Sequence, residues 1–274
     1  MVLGAKLKLY QYTLGTREGL ILQSDIGFGE IAPLPGFSRE TLAEARRETI
    51  ALLRHQKESP TLPSVRWGLA CAQKKLRSVH LPLCALGPRP GFTTLKLKLG
   101  HLPLDEAIAL TKKHLPFRLR LDCNRAWTLD QALAFASHFK PTDFAYLEEP
   151  VRTFEELVRF SELTRFPIAL DESIHCDWTE LPSLKAIVVK PTIVGFIPTV
   201  PPHLDLILSS SYESGLGLLH IANCAPNSLP IGLDTYPALA DDLLTTPIDC
   251  SSGYFSWNHS EPLINLSKLT RIDL

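Results

Sequence analysis

RLRLDCN (118–124), FAYLEEP (144–150), PIALDES (167–173) and AIVVKP (186–191) are short apolar runs that each close on charged residues, and they decide the fold. AIVVK is nearly continuous in apolar character, as expected of a strand buried on both faces. Four further runs flank these: LPLCALG (81–87), TLKLKLG (94–100), LDLILSSS (204–211) and LPIGLD (229–234). Between several of them lie DEAIALTKKHL, LDQALAFASHF and FEELVRFSEL, with apolar residues at helical spacing. Eight such repeats after residue 80 predict an α/β protein of TIM-barrel type. WTELPSLK and GFIPTVPPHL hold little helical sequence, so the helices after the fifth and sixth runs are expected to be very short.

Upstream the rhythm differs. KLKLYQYTL and EGLILQSDIGFGEIA alternate apolar and polar residues around glycine turns, which predicts antiparallel strands. SRETLAEARRETIALLRHQ follows, with Ser38 expected as the helix N-cap. A second helix is expected after Pro63. Residues 1–78 therefore read as an α+β capping domain and 79–245 as the barrel. The tail, 246–274, is expected to pack back on the capping domain.

Composition narrows the class. The chain has 274 residues, enough for one barrel, and 45% apolar with 21% charged residues excludes a disordered or fibrous protein. Lys and Arg number 28 against 29 acidic residues, so no global basic field points to nucleic acid. No apolar run has the length of a signal peptide core or a membrane span, and the expectation is a cytoplasmic protein without membrane partners. Six cysteines without a C-x-x-C pair point to reduced thiols rather than a disulfide or zinc framework. Oligomeric state stays open, and the sequence is compatible with a monomer.

Catalytic groups of such barrels sit at the C-terminal ends of strands. Those ends read Lys96 and Lys98, Asp122 and Asn124, Glu148 and Glu149, Asp171 and Glu172, then Lys190. One acid at a strand end is ordinary, because acids favour helix N-termini. Three in succession flanked by lysines are not. Converging carboxylates repel unless a cation neutralises them, and hard oxygen ligands suit Mg²⁺ or Mn²⁺. A lysine near a cation loses some preference for its ammonium form and can serve as a base. The expected substrate is a small carboxylate whose α-proton is removed. For Lys96 a salt-bridging or substrate-orienting part is the stronger reading, and Arg120 shares the inward parity of Asp122.

GFGEIAPLPGFSRETL (27–42), PSVRWGLACA (63–72), KLKLG (96–100), RLDCNRAWT (120–128), YLEEPV (146–151), ALDES (169–173), VVKPTIVG (188–195), SSSYESGLGL (209–218) and GLDT (232–235) together resemble the enolase superfamily, and within it the o-succinylbenzoate synthase family. The resemblance spans most of the chain from 27 to 235. It implies a (β/α)7β barrel with an N-terminal capping domain. It implies metal ligands at Asp122, Glu148 and Asp171, acid/base lysines at Lys98 and Lys190, and a dehydration in menaquinone biosynthesis. Lys96, Arg120 and Asn124 are expected to orient the substrate. Ser209, Ser210 and Gly232 match positions that family members use around the succinyl arm. N-acylamino acid racemase, dipeptide epimerase and muconate-type cycloisomerase are the rival activities, and a barrel without catalysis is the rival class. The chain departs from many relatives between Tyr10 and Gly19, where a longer loop closes over their sites. Tyr212 and Gly215 also depart from the pattern.

Overall fold

The computed structural model describes residues 7–259 and 264–274. Residues 1–6 of the expected capping domain and 260–263 of the expected tail lie outside the described residues. The chain forms two compact units, one of residues 1–82, 190–198 and 208–274, the other of 83–189 and 199–207.

In the first unit, strands β1 (Lys8–Leu14), β2 (Arg17–Gln23) and β3 (Phe28–Ile31) run antiparallel, and β12 (Leu269–Ile272) adds to the free edge of β1. Helices α1 (Leu42–Leu53) and α2 (Pro63–Ala72) belong to the same unit. Leu9, Leu20, Leu22 and Ile31 of the sheet form one core with Ala45, Leu52, Val65 and Leu69 of the helices. Gly29 and Gly68 permit this packing: a Cβ on Gly29 would lie 2.0 Å from the Gly68 carbonyl oxygen. The cap of α1 corrects the expectation of Ser38. Thr41 caps, because its hydroxyl accepts from Glu44 N while the Glu44 carboxylate accepts from Thr41 N at 2.8 Å. Ser38 instead closes a turn, its Oγ accepting from Leu34 N at 2.8 Å. Pro63 occupies the first turn of α2, where a missing N–H costs nothing.

Strand β4 (Val79–Pro82) pairs antiparallel with β11 (Tyr254–Trp257). Helices α6 (Pro191–Val194) and α7 (Gly215–Asn223) complete this unit.

The second unit carries the parallel sheet. Strands β5 (Thr94–Lys98), β6 (Arg118–Asp122), β7 (Tyr146–Glu148), β8 (Ile168–Leu170), β9 (Leu184–Val189) and β10 (Asp205–Leu208) lie side by side in that order. Helices α3 (Leu104–His114), α4 (Leu129–Ala136) and α5 (Phe154–Thr164) connect the early strands. After β8 there is only a three-residue 3₁₀ turn, and α6 after β9 has four residues, as the sequence predicts. The first and eighth runs do not form full strands of this sheet. They contribute isolated parallel bridges, Ala85 to Leu95 and Ser209 to Gly232. Within the eighth run, Pro230 has no N–H to give a ladder. No helix among the described residues is long and apolar enough to cross a membrane.

Candidate active site

Strand alternation builds the site. Leu95 and Leu97 of β5, Leu119 and Leu121 of β6, and Leu147 of β7 are buried apolar residues. The alternate positions carry the charges. Register aligns them in two rows: Lys98 with Asp122 and Glu148 at the strand ends, and Lys96 with Arg120 and Tyr146 one layer below. Asp171 is the first residue after β8, and Lys190 the first after β9, where it heads α6.

Lys96 reaches up from the lower row. Its Nζ lies 3.0 Å from Asp122 Oδ2 and donates to Glu148 Oε1 at 2.8 Å. Asp122 and Glu148 are 2% and 1% exposed. Burial opposes the charge on Lys96, but Glu148 and Asp122 outweigh it and hold the ammonium protonated well above the usual lysine range. Arg120 lies beneath, with its guanidinium carbon 5.5 Å from the centre of the Tyr146 ring. Its Nε has no hydrogen-bond partner among the described residues. Asn124, at φ 46°, donates its backbone N–H to Asp122 Oδ1 at 3.1 Å and so fixes that carboxylate.

Glu149 has a part that the sequence reading did not assign. Its carboxylate accepts from Asp171 N at 3.0 Å, Ser173 N at 2.7 Å and Ser173 Oγ at 2.9 Å. It is buried at φ 42°, and burial pushes its carboxyl up against those hydrogen bonds. Glu149 thus anchors the backbone that carries Asp171. The acidic doublet of LEEP is its only trace in the sequence, and a doublet does not say which acid points where.

Ser209, Ser210 and Gly232 meet in the first unit. Ser210 N donates to Gly232 O at 3.1 Å, and Gly232 N donates to Leu208 O at 2.8 Å. Ser210 Oγ lies 2.7 Å from Thr235 Oγ1, a residue the sequence reading passed over. A Cβ on Gly232 would lie 2.7 Å from Ser209 Oγ, so a side chain here would displace that hydroxyl.

Whether a divalent cation suits the acids can be tested on the donor set. Buried Asp122 and Glu148 already share one positive group, the Lys96 ammonium, between their oxygens. Hard carboxylate oxygens that attract a cation at that point match what Mg²⁺ requires. Among the described residues no three His, Cys, Asp or Glu side chains are gathered as a metal-binding group.

Comparison with known proteins gives the class first. Residues 2–76 match the family described as MenC, N-terminal domain, and residues 86–190 match the enolase C-terminal domain-like family. Two solved structures share the fold. One is o-succinylbenzoate synthase from Thermosynechococcus elongatus, complexed with Mg in its active site, at TM-score 0.69 and 22% identity over 89% of this chain and 96% of that one. The other is muconate cycloisomerase from Pseudomonas fluorescens, at TM-score 0.73 and 17% identity over 98% of each chain. The fold is thus a TIM-type barrel with an N-terminal domain, in the enolase superfamily. O-succinylbenzoate synthase of Klebsiella pneumoniae is 36% identical over 97% of this chain and 94% of its own length. The chain belongs to the o-succinylbenzoate synthase family.

Proposed function

We propose that this chain is a metal-assisted dehydratase that converts 2-succinyl-6-hydroxy-2,4-cyclohexadiene-1-carboxylate to o-succinylbenzoate in menaquinone biosynthesis, working in the cytoplasm. The observation that carries this reading is the row of Lys98, Asp122 and Glu148 at the ends of adjacent strands, in a chain of this family. Asp122, Glu148 and Asp171 would hold the divalent cation, Mg²⁺ or Mn²⁺. When bound, it supplies positive charge for the substrate's ring carboxylate.

Lys98 removes the proton α to that carboxylate. The neighbouring hydroxyl then departs on the same face and takes a proton back from Lys98, so water leaves and the ring becomes aromatic. Lys190 stabilises the developing anion by its charge and moves no proton. Lys96, held as a cation by two buried acids, keeps them in place and is no base. Arg120 and Asn124 orient the carboxylate end, while Ser209, Ser210 and Gly232 receive the succinyl arm.

The muconate cycloisomerase likeness has a TM-score no lower than that of the synthase structure, so fold alone does not choose between these activities. Identity of 36% to a synthase over nearly the whole chain favours dehydration. Product identification by proton NMR tests it. The enzyme with Mg²⁺ is expected to yield o-succinylbenzoate from the cyclohexadiene, and to do so faster than it racemises an N-succinylamino acid in heavy water. Racemisation without dehydration would overturn the proposal.

A further inference from the structure

We infer that Arg17 is a positioning residue for the substrate site, holding the turn at 211–212 that follows the Ser209–Ser210 strand end. This rests on the proposed use of Ser209, Ser210 and Gly232 for the substrate's side arm. Arg17 opens β2, directly after the short Gly15–Thr16 turn. Its guanidinium is spent on backbone carbonyls of two separate segments. Nη1 donates to Pro33 O at 2.7 Å, and Nη2 donates to Ala32 O. Nε donates to Tyr212 O at 3.0 Å, and Nη2 also approaches Ser211 O at 3.4 Å. No carboxylate is among these acceptors, so the group acts as a fork that fastens one stretch of backbone to another.

The stretch it fastens needs fastening. Tyr212 has φ 59°, a conformation that side chains other than glycine rarely adopt and that persists only where the surroundings impose it. On either side the segment is tied as well. Ser211 N donates to Glu213 Oε2 at 2.6 Å, and Ser214 Oγ donates to Glu30 Oε2 at 2.7 Å. Only Arg17 holds the carbonyls at the turn itself among the described contacts. Ser210 is two residues before Tyr212 and donates its N–H to Gly232 O at 3.1 Å, beside which a Cβ on Gly232 would meet Ser209 Oγ at 2.7 Å. A turn that relaxes would therefore carry the Ser209–Ser210 amides away from their places.

The test compares Arg17→Ala, Arg17→Lys and the double variant Arg17→Ala/Tyr212→Gly. Glycine adopts positive φ without a Cβ clash, so it should keep the turn without the guanidinium. Hydrogen exchange of the 209–214 amides in the ligand-free protein reads the turn, and KM against kcat reads its use. In Arg17→Ala, protection at 209–214 is expected to fall, with KM rising about tenfold and kcat changing less than about threefold. Arg17→Lys should recover little, since one ammonium cannot span the carbonyls. The double variant should return KM to within about threefold of the wild type. Unchanged protection in Arg17→Ala, an unchanged KM, or no recovery in the double variant would each overturn the inference. Because the exchange measurement uses no substrate, it decides on the turn even if the wild type proves not to be a dehydratase.

Discussion

Lys96 and Lys98 stand two residues apart on one face of β5, yet their surroundings separate their chemistry. Lys96 is clamped between Asp122 and Glu148 and stays charged, whereas Lys98 is exposed at the strand end. On the proposed mechanism Lys98 is the base of the pair. Lys98→Ala is expected to lower turnover by about 10³-fold, within the range for a lost proton-transfer group. Mn²⁺ binding followed by electron paramagnetic resonance should stay unchanged in that variant. Lys190 differs again. If it acts by charge, Lys190→Arg should retain more dehydration activity than Lys190→Ala, and equal loss in two folded variants would remove that part from it. His220, remote from this chemistry in sequence, sets a pH limit. It is 2% exposed with Nε2 2.7 Å from Phe28 O, and burial holds its pKa down to about 4. The unfolded chain takes up that proton near pH 6.5 and the folded chain only near 4, so stability falls as pH drops through this window, by up to about 3 kcal/mol. Urea unfolding of His220→Gln should show a flatter pH dependence between 6.5 and 4 than the wild type.

At the scale of elements, local capping fixes where helices begin. Thr41 with Glu44, Thr128 with Gln131 and Thr153 with Glu156 are reciprocal capping boxes at the starts of α1, α4 and α5. Thr153→Ala, on the helix that follows the Glu148–Glu149 loop, should destabilise the protein by about 1 kcal/mol. A thermal melt should show that loss as a fall of roughly 2–4 °C, with kcat intact. Thr153→Ser should restore it. These boxes show what was legible in the chain and what was not. Helical spacing located α3, α4 and α5, and the expected strand-end charges fall at the ends of β5, β6 and β7, because both signals repeat along the sequence. The Ser38 expectation failed because Ser and Thr both cap, and only the Glu three residues after Thr41 separates them. Arg17 and Glu149 went unassigned because most of their partners are backbone groups, some of them nearly two hundred residues away in the case of Arg17, and backbone groups leave no mark on composition.

For the whole molecule, two matched families cover residues 2–76 and 86–190 in the order that the superfamily resemblance implies. The first and eighth runs carry the isolated bridges Ala85–Leu95 and Ser209–Gly232. The six strands between them keep the register that lines up Lys98, Asp122 and Glu148. The central claim is that this row, with Asp171, takes a divalent cation for dehydration. The initial rate of o-succinylbenzoate formation, measured while Mg²⁺ is titrated into chelator-dialysed enzyme, tests it most directly. The rate should rise hyperbolically from near zero, and Asp122→Asn should abolish the rise. A full rate in the dialysed enzyme, or no turnover at saturating Mg²⁺, would contradict the account.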